Sequence, residues 1–323
     1  MPARRSRERC MAALCRTIAI GFLALTAFPA LVSSALAQDV EPRFIQNAPV
    51  GTNALGLAYT YSSGAVLLNK TIPVENLDGD IHAFTAVYAG FFDFWGMSGR
   101  LDGAVQFATG KWDGLLVGQD TATKRTGLGD PLFRIALFFV GAPALSVTEF
   151  RNYEPGTVVG AAFRVRVPLG QYSGERVINL GTNRWSFSPR VGVSRALGRH
   201  WTIEGYSSAW FFTTNNDFFG GTSQSQKPSL SLQLHLEYTF ASGIWIAAST
   251  RQVWGGETSV NGVSRDDAQN NNRIGVTLNV PISRHNVLRF ALTTGLGTSI
   301  GNDYTSLYAT WLYGWVPQPD PPN

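Results

Sequence analysis

The feature that most constrains the fold is a strict alternation of apolar and polar side chains. Residues 229–240, SLSLQLHLEYTF, place leucine or an aromatic residue at every even position and a polar residue at every odd position. Successive side chains of a β-strand point to opposite faces, so this segment predicts a strand with one apolar and one polar face. Twelve segments with strand character recur along the chain, at residues 52–62, 80–93, 97–108, 130–141, 156–168, 183–196, 199–213, 228–241, 243–254, 271–282, 286–298 and 304–315.

No apolar run after residue 37 approaches the length of a membrane-spanning helix, which needs about 20 apolar residues. The other structure that can span lipid is a closed barrel, because it pairs every backbone N–H and C=O group. The predicted strands have the length of tilted membrane strands, about 9–11 residues. Short turns alternate with long loops, as in outer-membrane barrels. Two connections break this alternation, since 142–155 is longer and 299–303 is shorter than expected.

The polar faces of these segments suit an enclosed lumen better than an open surface. The chain has four lysines after residue 37, and all four fall in predicted loops or at a strand edge. The polar faces instead carry Ser, Thr, Gln, Gly and Arg, while the opposite faces are apolar. Tryptophans at 95, 185, 201, 245, 254 and 315 fall near predicted strand ends, as the aromatic girdles of membrane barrels do. We therefore predict an all-β fold, a transmembrane antiparallel up-and-down β-barrel of about twelve strands over residues 52–315.

The N-terminal residues have the layout of a secretory signal peptide. Arginines precede the apolar run IAIGFLALTAFPALV, and Ala35-Leu36-Ala37 supplies the small residues of a cleavage site. The run is short for a membrane anchor and contains Pro29. We predict a signal peptide over residues 1–37, followed by a periplasmic N-terminal segment over 38–51. The tail at 316–323, VPQPDPPN, is proline-rich and predicted to be periplasmic, since proline cannot continue a strand ladder.

Removal of a signal peptide changes both the charge and the cysteine content. The full chain has a formal charge of +4, but residues 1–37 hold five arginines and one glutamate, which leaves 21 basic and 21 acidic residues. A neutral chain gives no support to nucleic-acid binding. Both cysteines, Cys10 and Cys15, also lie in the predicted signal peptide, so the mature chain has no disulfide or thiolate chemistry. The partners that we expect are outer-membrane lipid and a small-molecule solute.

Several stretches resemble one protein family. They are GLGDP at 127–131, VINLGTNRWSFSPRVGVS at 177–194, NNDFFGG at 215–221, GGETSVNG at 255–262 and NNRIGVTLNVP at 271–281. Their order and spacing are similar to those of the meta-pathway phenol-degradation family of bacterial outer-membrane transporters. The resemblance implies an outer-membrane β-barrel that moves small organic molecules and is found beside genes for aromatic degradation. It implies no particular substrate-contact residues.

The sequence contains no pattern that predicts catalysis, a metal site or a cofactor site. Barrel enzymes that modify lipids use a histidine and a serine two residues apart on a lipid-facing strand, and none of the four histidines has a serine two places on. No pair of histidines has metal-ligand spacing. One loop carries Glu257, Asp266 and Asp267 beside three asparagines, and such oxygen groups bind calcium, although solvation of the loop explains them as well.

The clearest functional signal is the excess of arginine on the predicted inner face. We predict that the lumen is lined by Arg100, Asp102, Arg134, Arg164, Arg166, Arg184, Arg190, Glu204, Gln233, His235, Glu237, Arg273 and Arg289. Arg251 is ambiguous, because both faces of its segment are mixed. With Arg251 included, nine arginines face three acids. Rings of arginine favour anions in pores, whereas the alternative is that the arginines brace a small barrel.

These observations predict a bacterial outer-membrane channel for passive uptake of small organic molecules, aromatic or anionic in character. Three alternatives remain open: a barrel that takes up hydrophobic compounds through a lateral path, a closed structural barrel, and a lipid-modifying enzyme. The final segment, LYATWLYGW at 307–315, is amphipathic and ends in an aromatic residue. It resembles the signal by which outer-membrane proteins are recognised, so we expect the barrel-assembly machinery to bind the C-terminal strand.

Overall fold

The computed structural model describes residues 40–67, 74–116, 119–176 and 178–316. The predicted signal peptide, and the predicted tail beyond Val316, lie outside the described residues. The strands are β1 (Asn53–Leu67), β2 (Val74–Phe94), β3 (Met97–Leu116), β4 (Gln119–Leu128), β5 (Leu132–Pro143), β6 (Thr157–Arg166), β7 (Ser186–Leu197), β8 (Trp201–Phe212), β9 (Asn215–Phe218), β10 (Thr222–Gln226), β11 (Ser229–Thr239), β12 (Trp245–Gly255), β13 (Thr258–Val260), β14 (Val263–Ser264), β15 (Gln269–Pro281), β16 (Asn286–Gly297) and β17 (Gly301–Trp315).

Twelve of these strands form a closed antiparallel barrel. Going around the wall, their order is β1, β2, β3, β5, β6, β7, β8, β11, β12, β15, β16 and β17. The barrel closes where β17 pairs with β1, in a register that runs from Asn53 opposite Trp315 to Leu67 opposite Gly301. The predicted fold class and strand count are therefore confirmed. None of the described residues forms a helix that is long and apolar enough to cross a membrane.

The alternation read from the sequence separates the two sides of the wall. On β11, Leu230, Leu232, Leu234 and Leu236 are each at least 40% exposed, and the polar residues between them are buried. The other barrel strands repeat this pattern, with exposed leucine, isoleucine, valine and phenylalanine on the outside. Such an outer surface would be unstable in water but is suited to lipid, so the fold is that of a transmembrane barrel.

One side of the barrel extends further than the sequence predicts. The gaps between predicted strands at residues 63–79 and 109–129 are not loops throughout, because β1, β2 and β3 continue into them and β4 lies entirely within the second. Both β4 and β5 pair with β3, and the two are separated by Gly129–Pro131. Apolar and polar residues alternate only weakly in these two ranges, so the sequence does not predict strands there. The strands form because pairing with a neighbouring strand supplies their backbone hydrogen bonds.

Two predicted connections, 142–155 and 299–303, did not fit the alternation of short turns with long loops. Both are present in the structure, and neither reflects a miscounted strand. Residues 144–156 join β5 to β6 and contain a short 3₁₀ helix, Glu149–Asn152. Residues 298–300 join β16 to β17 by a tight turn. A second, four-stranded sheet in the order β14, β13, β10, β9 forms from the two long loops at the same end of the barrel.

The tryptophans divide into two groups, and one of the girdle predictions is wrong. Trp185, Trp201 and Trp254 lie on the outer surface, between 43% and 45% exposed, as expected for aromatic girdles. Trp245 was predicted to join them but is completely buried. It shares a face with Ala247, Ser249, Arg251 and Val253, which are all buried, so its place in the alternation directs it into the barrel.

Candidate functional site: the barrel interior

All the residues predicted to line the lumen except Arg184 lie on the inner face of the wall, and Arg184 lies in the loop before β7. Arg184 is half-buried, and the others are at most 8% exposed: Arg100, Asp102, Arg134, Arg164, Arg166, Arg190, Glu204, Gln233, His235, Glu237, Arg273 and Arg289. Arg251, whose face was ambiguous, is 3% exposed and also points inward. The buried members of this set therefore face the interior of the barrel.

The interior is not empty, because the chain before β1 lies within it. Residues 40–48, termed the inner segment, were predicted to lie in the periplasm as part of segment 38–51. Instead Phe44, Ile45 and Ala48 are each 1% exposed and pack with Phe91, Phe138 and other residues of the wall. Charged residues of this segment are equally buried. The prediction of a periplasmic segment is therefore wrong for these residues.

Glu41 of the inner segment lies among arginines from three strands. Its carboxylate forms ion pairs with Arg190, with Arg134 at 3.4 Å and with Arg164 at 3.9 Å. Its backbone N–H donates to Oε1 of Gln233 at 3.1 Å. A buried carboxylate is stable only where charge and hydrogen bonds replace water, and these arginines supply both.

Arg43 carries the opposite charge and meets the acids of the wall. Its Nε donates to Glu237 Oε2 at 2.6 Å, and its backbone N–H donates to Glu204 Oε2 at 2.6 Å. Its guanidinium group lies 4.5 Å from the ring centre of Trp245. Arg43 therefore places a cation where two wall carboxylates would otherwise repel each other.

Phe44 supplies an aromatic ring to the same interior. The guanidinium carbons of Arg134, Arg190 and Arg100 lie 4.3, 5.0 and 5.5 Å from its ring centre. The ring of Tyr206 meets it edge to face at 5.7 Å, and the Tyr206 hydroxyl accepts the Phe44 N–H at 3.0 Å. Guanidinium groups within about 6 Å of a ring centre are attracted to its face.

The other predicted lumen residues are spread along the wall. Arg100 and Arg134 both pair with Asp102, at 3.0 and 2.8 Å. Further hydrogen bonds join Arg273 to Thr293, Arg289 to Asn279, His235 to Ser249, and Arg184 to Gln226. Arg164 and Arg166 lie over Trp210, at 4.6 and 5.3 Å. The wall thus uses aromatic faces and neutral oxygens, as well as acids, to accommodate its arginines.

Sequence reasoning missed Glu41, Arg43 and Phe44. The excess of arginine over acid on the wall did not point to them. The inner segment brings one acid and one base, so it leaves the net positive excess of the interior unchanged. Nothing periodic marks residues 40–48 as part of the interior, because they belong to no strand.

Asp130, in the GLGDP stretch, holds the loop between β6 and β7 over the end of the barrel. Its carboxylate accepts hydrogen bonds from the N–H of Gly170 at 2.9 Å, the N–H of Thr182 at 2.9 Å and the Thr182 hydroxyl at 2.6 Å. Gly170 lies so close that an added Cβ would approach Asp130 to 2.7 Å. The sequence stretches that carry the family resemblance therefore meet in space.

The neighbouring loops are joined by similar contacts. Asn215 bonds to Asn183 at 2.9 Å and to the Tyr172 hydroxyl at 2.8 Å. Lys227 pairs with Glu257, and this hydrogen bond lowers the pKa of the Glu257 carboxyl and raises that of the Lys227 amine. Asp267 accepts from the N–H and hydroxyl of Thr258, both at 2.6 Å. Among the described residues no group of acids and histidines is arranged to hold a metal.

We predict that Asp130→Ala frees the loop at 167–185. The change leaves three donors without their acceptor, and each unsatisfied buried group costs about 1–3 kcal/mol. Hydrogen exchange at the amides of Gly170 and Thr182 should become faster in the variant. Asp113→Ala is the matched control, because Asp113 pairs with Lys111 at 2.9 Å on an exposed part of β3. Equal protection in the variant and the wild type would show that the loop is held by other contacts.

Two cavities lie on either side of the inner segment. One, of about 570 Å³, is bounded by the loop at 167–185 and lined by Trp112, Tyr304, Leu180, Arg125 and Arg166. The other, of about 1080 Å³, is at the opposite end and includes Arg43, Ile45, Tyr153 and Ser194. Arg164 contacts Glu41, and Arg166, two residues further on the same face of β6, lines the first cavity. The inner segment therefore separates the two cavities.

Comparison with known proteins identifies the family. The model of a family described as "Putative MetA-pathway of phenol degradation" matches residues 48–313. The chain belongs to this family. The match begins at the last residue of the inner segment and ends two residues before the end of β17. No curated protein has a significantly similar sequence.

Solved structures show the same fold as this family member. The COG4313 outer membrane channel from Pseudomonas putida F1 is 20% identical, with a TM-score of 0.74, over 86% of this chain and 100% of that one. The transport unit of the autotransporter AIDA-I from Escherichia coli is 10% identical, with a TM-score of 0.51, over 93% of this chain and 99% of that one. Together with the apolar outer surface, this likeness places the protein in a bacterial outer membrane.

Proposed function

We propose that the protein is an outer-membrane channel for passive uptake of small organic molecules, with a preference for anions. The observation that carries this proposal is the inner face, where eight arginines face three acids, with Arg184 as a ninth arginine just before β7. Passage through such a channel involves no covalent chemistry. The COG4313 protein, which shares the fold, is an outer membrane channel by its published description.

Electrostatics support the preference for anions. Two unit charges about 7 Å apart interact by roughly 2 kcal/mol where the effective dielectric constant is near 20. A solute anion in a narrow lumen would gain attraction of that order from each nearby arginine, less the hydration that it loses. The apolar residues of the cavity beside Arg166, among them Trp112 and Leu180, suit a solute that has an aromatic body.

One alternative has an observation in its favour. Glu41 forms an ion pair with an arginine of the wall, and Arg43 forms one with an acid of the wall. These ion pairs hold the inner segment in the lumen, as a permanently closed structural barrel would require. A barrel with a lateral path for hydrophobic compounds, or a lipid-modifying enzyme, has no comparable support among the described residues. Conduction separates the channel from the closed barrel.

The proposed selectivity is tested by reversal potentials of the purified protein in a planar bilayer under a salt gradient. We expect the wild type to prefer anions, and the double variant Arg166→Gln with Arg273→Gln to lose part of that preference. The preference should also decline at high salt, where screening shortens the range of the field. Arg164 is left intact, because it contacts Glu41 and its removal would also disturb the inner segment.

The matched control is Arg151→Gln with Arg284→Gln, which removes the same charge from exposed residues that line neither cavity. This control should keep the selectivity of the wild type. A cation-selective wild type, or full anion selectivity in the lumen variant, would show that the arginines act as braces. A barrel that inserts but conducts nothing would favour the closed structural alternative.

We also propose that the barrel-assembly machinery recognises β17. Its outward face carries Leu307, Trp311 and Tyr313, each at least 38% exposed, and the strand pairs with β1 where the wall closes. The exposed aromatic residues would be available before β1 pairs with it.

A further inference from the structure

The inner segment presents two different chemical groups to one cluster of arginines. Glu41 contributes a carboxylate and Phe44 contributes a phenyl ring, and both are about 1% exposed. The arginines come from neighbouring strands of the wall, Arg134 from β5, Arg164 from β6 and Arg190 from β7. The cluster is therefore a fixed feature of the wall, to which the inner segment is added.

The same arginines contact both groups. Arg134 lies 3.4 Å from the Glu41 carboxylate and 4.3 Å from the Phe44 ring centre. Arg190 pairs with Glu41 and lies 5.0 Å from that ring centre. Arg164 adds a third charge near the carboxylate, and Tyr206 contacts the edge of the ring. Glu41 and Phe44 thus together occupy a space suited to one ring that carries an acid group.

We propose that Arg134, Arg164, Arg190 and Tyr206 form a binding site for aromatic carboxylates, which Glu41 and Phe44 of the inner segment fill in the absence of solute. The solute and the inner segment compete for this site, so binding of the solute releases the segment. This proposal rests on the proposed function as a channel for organic anions, and it names the solute class and the place where it binds.

The chemistry of the site distinguishes among solutes. Guanidinium groups bind carboxylates through charge-assisted hydrogen bonds and attract aromatic faces. A neutral aromatic alcohol would lose the first interaction and acetate would lose the second. A solute reaches the cluster from the cavity that Arg166 lines, because Arg164 is two residues away on the same face of the same strand.

Calorimetry on the purified wild-type protein, with benzoate as the probe, tests the site directly. Benzoate should bind, whereas benzyl alcohol and acetate should each bind at least about tenfold more weakly, since each lacks one of the two interactions. Glu41→Gln should bind benzoate about tenfold more tightly, because a site that is less often filled by its own chain is more available. Arg190→Gln should bind it at least about tenfold more weakly.

Arg273→Gln is the matched control, because it removes a buried inward arginine that contacts Thr293 and Asn302. It should weaken anion selectivity in the bilayer but leave the dissociation constant of benzoate within about twofold of the wild type, since neither partner belongs to the proposed site. Failure of the site and failure of the proposed function therefore have different readouts, equilibrium binding for the former and reversal potential for the latter.

A second measurement, limited proteolysis, uses only the wild-type protein, so its result does not depend on whether a variant folds. Trypsin cleaves after arginine, and the Arg43–Phe44 bond is buried while the inner segment is in place. Benzoate should accelerate cleavage at this bond, detected by mass spectrometry, and benzyl alcohol should not. Cleavage that benzoate leaves unchanged, equal binding of benzoate and benzyl alcohol, or no gain in affinity in Glu41→Gln would each overturn the proposal.

Discussion

Deleting residues 40–47 is expected to raise the single-channel conductance several-fold. These residues lie between the two cavities of the interior, where the side chains of Glu41, Arg43, Phe44 and Ile45 are all buried. Their removal would join the cavities into a continuous path. Conductance in a planar bilayer measures the change, and the triple variant Glu41→Ala, Arg43→Ala, Phe44→Ala should produce a smaller increase in the same direction.

The deletion should also lower the thermal stability of the barrel. Burial of a large apolar side chain such as Phe44 or Ile45 stabilises a protein by about 1.5–3 kcal/mol, and the ion pairs of the wall would lose their partners. Gln46→Ala is the matched control within the inner segment, because Gln46 is only half-buried, and it should leave the conductance unchanged. If the deleted protein inserts and conducts like the wild type, the wall itself closes the lumen.

The second large effect concerns the outer surface. Leu234→Arg is expected to destabilise the folded barrel in membrane by about 2–4 kcal/mol, the cost of a charge near the middle of the bilayer. Leu234 is 48% exposed, lies in the middle of β11 and faces outward. Equilibrium unfolding by denaturant in lipid vesicles measures the loss, as a shift in the midpoint of the transition.

Leu230→Arg provides the control for this change. Leu230 is on the same face of the same strand but lies opposite the girdle residue Trp254, where a charge costs about 0–1 kcal/mol. The difference between the two variants isolates depth in the membrane from the chemistry of the substitution. If the two arginine substitutions destabilised the barrel equally, Leu234 and Leu230 would not lie at different depths in the bilayer, and the proposed orientation of β11 would be wrong.

The wall of the barrel was predictable because its geometry is local. A strand directs alternate side chains to opposite faces wherever it lies, so the order of residues along β11 already separated Leu234 from Gln233. The same rule placed Arg164, Arg190 and Glu237 inside the barrel before any contact was known. Closure also followed from the sequence, since lipid permits no unpaired strand edge. Where alternation was weak, as at Arg251, the sequence left the face undecided.

The prediction for Trp245 was wrong because the association of tryptophan with strand ends was given more weight than the alternation of side chains along the strand. Its position near a strand end suggested an aromatic girdle, yet it belongs to the same face as Arg251, which points inward. Parity along β12 would have assigned both residues, had either face been apolar enough to identify the outside. Inside the barrel, Trp245 stacks against Arg43, a partner that lies about 200 residues away in the sequence.

The sequence by itself determined the membrane barrel, its strand count and the inward direction of its arginines. Only the tertiary structure decided what those arginines contact. Glu41 lies outside any strand, so neither strand pairing nor the alternation of side chains fixes its position. That position depends on Arg134, Arg164, Arg190 and Gln233, which four different strands bring together. The lumen is a surface assembled from the whole chain, and a segment that fits it is specified by complementary charge and shape, which no local pattern of residues encodes.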